Sequence, residues 1–281
     1  MKHIPVLLDA VLHELGDLTG KTVLDATFGA GGYTRAFLDA GASVVAFDRD
    51  PGVLDDVQDI LQKYGDRFHF IAKPFSKMAE LTEQFDAIVF DLGISSMQID
   101  IPERGFSFRA DAPLDMRMSG TGVSAADLIN QLSDTELAQI LREYGDVSKS
   151  VVLARAIKAA KPKTTFELRG LIYNPRDIAP VFQALRIAVN DEMGEIKRAL
   201  SVMPNLLKPN GKCLVVTFHS IEDRIVKNVF RELTTVPGNP LIPVAAPVPF
   251  KLIRAVTPDA NELENNSRAR SAHMRGVQKS Y

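Results

Sequence analysis

The run Leu24-Asp25-Ala26-Thr27-Phe28-Gly29-Ala30-Gly31-Gly32 carries an apolar stretch straight into a glycine turn. Glycines remove the Cβ atoms that would hold a ligand away from the backbone, and a helix starting there offers free N–H groups. Thr34 stands where the third glycine of a Gly-x-Gly-x-x-Gly pattern would fall, which disfavours a dinucleotide pyrophosphate site. Asp48, 19 positions after Gly29, closes the next apolar run, where a carboxylate can accept both hydroxyls of an adenosine ribose. A strand-end or capping role is the structural alternative for Asp48. Asp50 before Pro51 reads as an N-cap with proline at the first helical position. Phe75 is placed to stack on an adenine, and core packing competes equally with that. Asp91-Leu92-Gly93-Ile94-Ser95-Ser96, followed by Gln98, brings an acid and two hydroxyls out of a fourth apolar run, a set able to hold a reacting group. Arg104-Gly105-Phe106-Ser107-Phe108-Arg109 interleaves aromatics with arginines, which suits a nucleobase stacked between phosphate contacts. By composition alone, core Phe and surface Arg are the better reading of that string. His219 places an imidazole at the end of a fifth apolar run.

Short β-rich runs alternating with helical patterns must position these groups, as in βαβ units with a parallel sheet. The expected strands are Thr22–Phe28, Ser43–Asp48, Phe68–Ala72, Ala87–Asp91 and Lys212–Phe218. The last two are continuously apolar, as strands buried on both faces should be. Helical spacing covers Tyr33–Ala40, Gly52–Tyr64, Ser76–Leu81 and Ile221–Leu233, the last preceded by Ser220 with Asp223 three residues on, close to a capping box. The strand ends converge where a ligand binds on an open α/β sheet. The stretch between the fourth and fifth strands far exceeds a crossover, so a subdomain is inserted there. Ser124–Asn130, Ser133–Tyr144 and Lys149–Ala160 read as its helices, with Val181–Leu207 returning to the sheet. Val236–Pro249, with five prolines, reads as an extended surface loop.

The chain has 281 residues with 46% hydrophobic and 24% charged, an ordinary globular composition that excludes a disordered or fibrous protein. The single Cys213 lies in an apolar run, so no internal disulfide and no thiolate zinc site can form. The five His are scattered, and no metal is expected. The pattern shows neither a signal peptide nor a membrane span, so a cytoplasmic protein is the expectation. Residues 1–100 hold 8 Lys and Arg against 16 Asp and Glu, and residues 101–281 hold 25 against 19. An acidic cofactor half joined to a basic face for a polyanion fits that split, as does an uneven spread of solvated charge. Leu141–Arg186 is basic, with 9 Lys and Arg against 4 Asp and Glu.

These strings resemble the bacterial ribosomal RNA small-subunit methyltransferase H family, also called MraW. The likeness runs almost end to end: His3-x-Pro5-Val6-Leu7-Leu8, Thr27–Tyr33, Asp48-Arg49-Asp50-Pro51, Pro74-Phe75, Asp91–Gln98, Arg104–Arg109, Pro113–Met118, Phe182–Ile187, His219–Arg224 and Arg268-Ala269-Arg270-Ser271. Departures are Tyr33 where His is common, Ser267 for a usual Pro, and Ala179-Pro180-Val181 for Thr-Arg-Thr. The resemblance implies an α/β class I S-adenosylmethionine-dependent methyltransferase, with a Rossmann-like, mostly parallel sheet and an inserted helical substrate-recognition subdomain. The expected division is a discontinuous methyltransferase domain, 1–103 and 183–281, around an insert at 104–182. The implied reaction methylates the exocyclic N4 amine of a decoding-centre cytosine in 16S rRNA, within the small subunit or a late assembly intermediate.

Cofactor binding falls, by this resemblance, on Gly31, Gly32, Tyr33, Asp48, Phe75, Asp91 and Gln98, beside Gly29 of the glycine turn. Asp91, with the Leu92 carbonyl, is the expected acceptor that aligns the amine, and Ser95 and His219 are the alternatives. Phe106 and Phe108 are expected to stack the base, and Arg109, Arg117, Arg268, Arg270 and Arg275 to meet the RNA. A catalytically idle assembly factor binding the same cofactor and rRNA is the rival reading. A DNA amino-methyltransferase is disfavoured because its Pro-Pro-aromatic string is missing after Asp91. Methylation at cytosine carbon 5 needs a thiolate, and Cys213 has no cationic neighbour in its strand.

Overall fold

The structure, a computed structural model, describes residues 5–235 and 248–281, apart from the side chains of Ser96 and Ser267. His3 and most of the proline-rich segment from Val236 lie outside the described residues. The chain divides into two compact units, Met1–Gly93 with Glu195–Tyr281, and Ile94–Gly194.

The first unit is built on seven strands in the order β3-β2-β1-β4-β5-β7-β6. They are β1 Thr22–Asp25, β2 Ser43–Phe47, β3 Phe68–Ile71, β4 Phe85–Asp91, β5 Leu207–Thr217, β6 Phe250–Val256 and β7 His273–Lys279. The first five run parallel, and β7 is antiparallel to both β5 and β6. This is the mostly parallel α/β sheet of the expected class. Burial on both faces explains the apolar runs: Ala87 to Phe90 and Cys213 to Val216 are each 2% exposed or less. Because Asp25 pairs in register with Ala46 and Val89, and Asp91 with Val216, the ends carrying Asp25, Asp48, Asp91 and His219 share one edge of the sheet.

The helices are numbered along the whole chain. In the sheet unit α1 is Leu8–Leu15, α2 Gly32–Asp39 and α3 Leu54–Tyr64. The segment expected as a helix at Ser76–Leu81 is instead a 3-10 helix, Phe75–Glu80, too short of apolar spacing to close α-helical turns. The inserted unit holds α4 Ser96–Asp100, α5 Ala125–Gln131, α6 Asp134–Gly145, α7 Ser150–Ala160, α8 Thr165–Gly170 and α9 Ile178–Asn190. Ser124 with Asp127, Ser133 with Glu136 and Thr164 with Glu167 form capping boxes that start α5, α6 and α8. The span expected as one return segment is broken at Asp191, whose φ of 47° caps α9, and α10 Glu192–Leu206 follows. The chain then adds α11 Ser220–Leu233 and α12 Ala260–Asn265. The expected boundaries of the insert, 104 and 182, are too narrow. Ile94 at one end, and Ala184, Leu185 and Val189 at the other, lie outside those bounds and pack into the insert's own core with Leu137, Leu141 and Ile157. Among the described residues no helix is long and apolar enough to cross a membrane.

Candidate active site

The glycine turn uses its three glycines in different ways. Gly31 is the N-cap of α2 with φ 72°, and a Cβ there would meet Ile60 at 2.8 Å and Phe28 at 2.9 Å. A Cβ on Gly32 would run into Pro5, so its smallness makes room for the chain's own N-terminal segment. Tyr33 belongs to the same packing: it is buried, its hydroxyl donates to the Val6 carbonyl, and its ring leans on Phe37. Gly29 alone faces open space, with φ 54° and nothing nearer than the Thr27 carbonyl at 4.0 Å. Of this group it is Gly29 that leaves space beside the backbone, and Gly32 and Tyr33 are placed to seat Pro5 and Val6.

Asp48 accepts the Gly29 amide at 2.8 Å and the Asp50 amide at 2.8 Å, one on each carboxylate oxygen. Each oxygen retains a lone pair for an outside donor. Burial pushes Asp48 up to about 6, against the pull of those two amides. Asp50 caps the following turn through the Gly52 amide at 2.9 Å, with Pro51 at the first position, as its sequence implied. Phe75 is half-buried and meets Phe90 edge-on at 5.7 Å.

Asp25, which sequence reasoning passed over as part of a strand, is fully buried at the end of β1. It accepts the Thr34 hydroxyl at 2.7 Å and the Thr27 amide at 3.2 Å, pinning the glycine turn to α2. Burial raises its carboxyl to about 6. Thr27 in turn accepts the Asp91 amide at 2.6 Å, tying β1 to β4. Asp91 is half-buried, and its Oδ1 is sealed from solvent without a hydrogen-bond partner. Burial first, then the charges of Asp25 and Glu222, push the Asp91 carboxyl well above the ordinary range. A charged residue in an otherwise apolar strand end was the signal that could have found Asp25.

His219 is the N-cap of α11, not Ser220 as the pattern suggested. Its Nδ1 accepts the Glu222 amide at 3.4 Å, and Nε2 lies 3.0 Å from Glu222 Oε1. The imidazole is thus held at the start of α11 as part of a capping box with Glu222. Buried Glu222 accepts the Phe218 amide at 2.9 Å and the His219 amide at 3.4 Å. Replacing Glu222 with Ala should therefore destabilise the protein by about 1–3 kcal/mol, the cost of stranding buried donors, and Glu222→Gln by less. Denaturant unfolding of both variants measures this.

The remaining expected residues lie in the inserted unit or on the far strands. Ser95 and Gln98 form the capping box of α4, Ser95 Oγ accepting the Gln98 amide at 3.3 Å and Gln98 Oε1 accepting the Ser95 amide at 3.1 Å. Phe106 is 8% exposed under the Arg104 guanidinium, and Phe108 packs edge-on against Phe182 at 5.4 Å. Phe106 belongs to the insert's core, whereas Phe108 is only partly buried against it. Arg117 is held by Asp115 and the Gly122 carbonyl, and Arg275 by a bidentate pair with Asp223 at 2.6 and 2.8 Å, so both serve the fold. Arg109, Arg268 and Arg270 are exposed. The exposed aromatics of the basic stretch are Phe166 and Tyr173.

The open turn at Gly29, the Asp48 carboxylate, the half-buried Phe75 ring and the sealed Oδ1 of Asp91 thus follow the ends of neighbouring parallel strands. The sequence profile of the MraW methylase family matches residues 1–280. The chain belongs to that family. It is 46% identical to the "Ribosomal RNA small subunit methyltransferase H" of Granulibacter bethesdensis, over 98% of this chain and 91% of that protein. Proteins of the same name from Chelativorans sp. and Rickettsia canadensis are 45% and 43% identical, over 99% of this chain and 87% and 98% of theirs.

Proposed function

We propose that this family member transfers a methyl group from S-adenosylmethionine to small-subunit ribosomal RNA, at the N4 amine of a cytosine in 16S rRNA. The observation that carries the reading is Asp91. It ends the fourth strand with a sealed, unpartnered oxygen, beside a glycine turn that Asp25 and Thr27 hold in place. The names of the relatives support the RNA as substrate.

The residues present suit the methyl donor. Asp48 has lone pairs for the ribose hydroxyls, Phe75 a face for adenine, and Gly29 open space where a side chain would stand. When bound, the donor supplies a methyl group already activated on a sulfonium. The exocyclic amine is a weak nucleophile because its lone pair is delocalised into the ring, so the protein's work is orientation. Asp91 accepts the amine hydrogens, turning the nitrogen lone pair toward the methyl carbon, and takes a proton as the bond forms. A carboxyl raised by burial is a better proton acceptor than an ordinary one. Ser95 and His219 are engaged in caps, which favours Asp91 for the role. Attack through carbon 5 finds no support, because Cys213 lies buried within β5 and burial raises its thiol.

The direct test incubates the protein with S-adenosylmethionine and unmethylated small subunits or naked 16S rRNA, digests the RNA and separates N4-methylcytidine from 5-methylcytidine. No methylated nucleoside on either substrate would overturn the reading.

Two further results are expected. Asp48→Ala should weaken S-adenosylmethionine binding by about tenfold or more by calorimetry, through loss of charge-assisted bonds to the ribose, with the fold intact. RNA binding should be steeply salt-dependent, and Arg268→Ala with Arg270→Ala should flatten the slope of log affinity against log salt by roughly one for each phosphate contact removed. Tyr173→Ala should lower affinity with the slope unchanged, as a stacking contact does. Filter binding across a salt series reads all three.

A further inference from the structure

Three sets of contacts hold the glycine turn, and two of them are local. Asp25 accepts the Thr27 amide and the Thr34 hydroxyl at 3.2 and 2.7 Å, and Arg35 donates to the Ala30 carbonyl while pairing with Asp56 at 2.8 Å. The third comes from far along the chain. Pro5 fills the space that a Gly32 side chain would take, and the Tyr33 hydroxyl donates to the Val6 carbonyl. The next amide, that of Leu7, donates to the Glu262 carboxylate, 255 residues away in sequence. All of these residues lie in the sheet unit.

Both supports of this short strap are fixed. Helix α1 begins after Leu7, buries Val11 and Leu15, and is tied to β5 where Lys212 donates to the Glu14 carboxylate at 3.0 Å. Glu262 stands in the first turn of α12, whose start is set by Asp259 accepting the Glu262 amide at 2.9 Å, and the buried Ala269 and Ala272 then lead the chain into β7. Leu7 is buried at φ 56°, a left-handed conformation that a residue with a side chain keeps only where its surroundings compel it. It is also the N-cap of α1 and has no side chain able to cap, so the Glu262 carboxylate supplies the missing acceptor from another helix. Backbone strain held in place by a remote acid, in a segment that ends against Gly32, points to a use for that placement.

The use follows from the turn itself. Gly29 and Gly31 stand at φ 54° and 72°, and glycines reach other shapes as easily, so local sequence does little to keep the turn as it is. A ligand that needs one shape binds more weakly in proportion to the time the turn spends in others. We propose that Glu262 and Tyr33 are positioning residues for the methyl donor: by seating Pro5–Leu7 on Gly32 they keep the glycine turn in its binding shape. This rests on the reading of the site as one for S-adenosylmethionine. The turn also sets Asp48, through the Gly29 amide at 2.8 Å, so a loosened turn is felt at the ribose that donor and demethylated product share. Both ligands should lose affinity alike, while the rate of the filled complex, which depends on Asp91, should stand.

Titration calorimetry with S-adenosylmethionine and with S-adenosylhomocysteine tests this, joined to single-turnover rates on unmethylated small subunits at rising donor concentration. Glu262→Ala and Tyr33→Phe should each weaken both ligands by about tenfold, with the rate at saturating donor within about twofold of the native protein. Glu262→Gln keeps an oxygen for the Leu7 amide and should recover affinity to within about threefold of native. Because Glu262 is only partly buried, its two variants decide the matter if Tyr33→Phe fails to fold. Native affinity for both ligands in Glu262→Ala, with only a lower melting temperature, would show that the strap serves the fold alone and overturn the proposal while leaving the cofactor reading intact. A fall in saturated rate with affinity unchanged would also overturn it, as would Glu262→Gln binding as weakly as Glu262→Ala. If the native protein binds neither ligand, the cofactor reading fails and the proposal with it.

Discussion

Asp91→Asn should lose roughly a hundredfold or more in single-turnover rate at saturating cofactor while its melting temperature holds or rises by about a few degrees. The rate falls because an amide cannot accept a proton, and its oxygen is a weaker acceptor for the amine hydrogens than a carboxylate. Stability moves the other way. The Asp91 carboxyl is held above its ordinary range in the folded chain by burial and by Asp25 and Glu222. A carboxyl raised on folding contributes fully below its unfolded value, and that contribution is lost as pH rises toward the folded value. Near neutrality the native residue is therefore a cost that Asn does not bear, and the gap between the two proteins should widen as pH rises from about 4. Asp25 and Asp48, raised to about 6, add to the same trend in the free protein between their ordinary value and about 6. If the variant recovers normal turnover at high cofactor, Asp91 only holds the cofactor. If the variant is markedly less stable, its carboxylate has a partner that geometry does not show. Single-turnover kinetics at several cofactor concentrations, paired with thermal melts across pH, separate these outcomes.

The parallel strands were legible because burial on both faces writes itself as unbroken apolar runs. Asp48 and Asp91 stood out because each is an acid closing such a run. The antiparallel pair was not. In β6 only Phe250 is buried, so Lys251 to Val256 carries no apolar run to mark a strand, and its place in the sheet is set by pairing with β7. Asp25 was hidden for the opposite reason: its partners, Thr27 and Thr34, are ordinary residues until the turn folds them onto it. Gly32 and Tyr33 carry the pattern of a ligand site, yet what presses on them is Pro5 and Val6, a contact between segments that no local spacing reveals. The same holds at His219, where position at a strand end suggested chemistry and the capping geometry with Glu222 takes up the imidazole.

The Arg104–Arg109 string shows how far a pattern suited to RNA can serve the fold, and Gly105→Ala should make that visible as a loss of about 3 kcal/mol or more in the stability of the inserted unit. Gly105 has φ 71°, where any side chain is strained, and a Cβ there would strike the Pro113 carbonyl and approach the Asp115 amide to 2.7 Å. Both are backbone and cannot swing aside. They belong to a loop on which much of the insert hangs. The Arg104 carbonyl accepts the Met116 amide at 3.0 Å, and its guanidinium donates to the Arg117 and Met118 carbonyls at 3.0 and 2.9 Å. Asn190 of α9 clamps Met116 and Met118 from the other side, at 2.7 and 2.8 Å. Met116 itself stands at φ 62°, a strained conformation that such bonds must hold. Asp115 and Leu114 carbonyls take the first amides of α5 at 2.7 and 3.0 Å. Pushing this loop outward loosens the start of α5, the clamp on α9 and the seat of Phe106 together. Gly120→Ala is the internal control: its φ of 70° carries the same strain, with nothing within 4 Å of the new Cβ, so it should cost only about 1–2 kcal/mol. Hydrogen exchange should show protection lost across α5 to α9 in Gly105→Ala and kept in Gly120→Ala. Calorimetry should show cofactor affinity retained in both, because Gly29, Asp48 and Asp91 lie in the other unit. Equal destabilisation by the two substitutions would mean that backbone strain alone matters at Gly105 and that the packing of the Arg104 and Pro113 loops is dispensable.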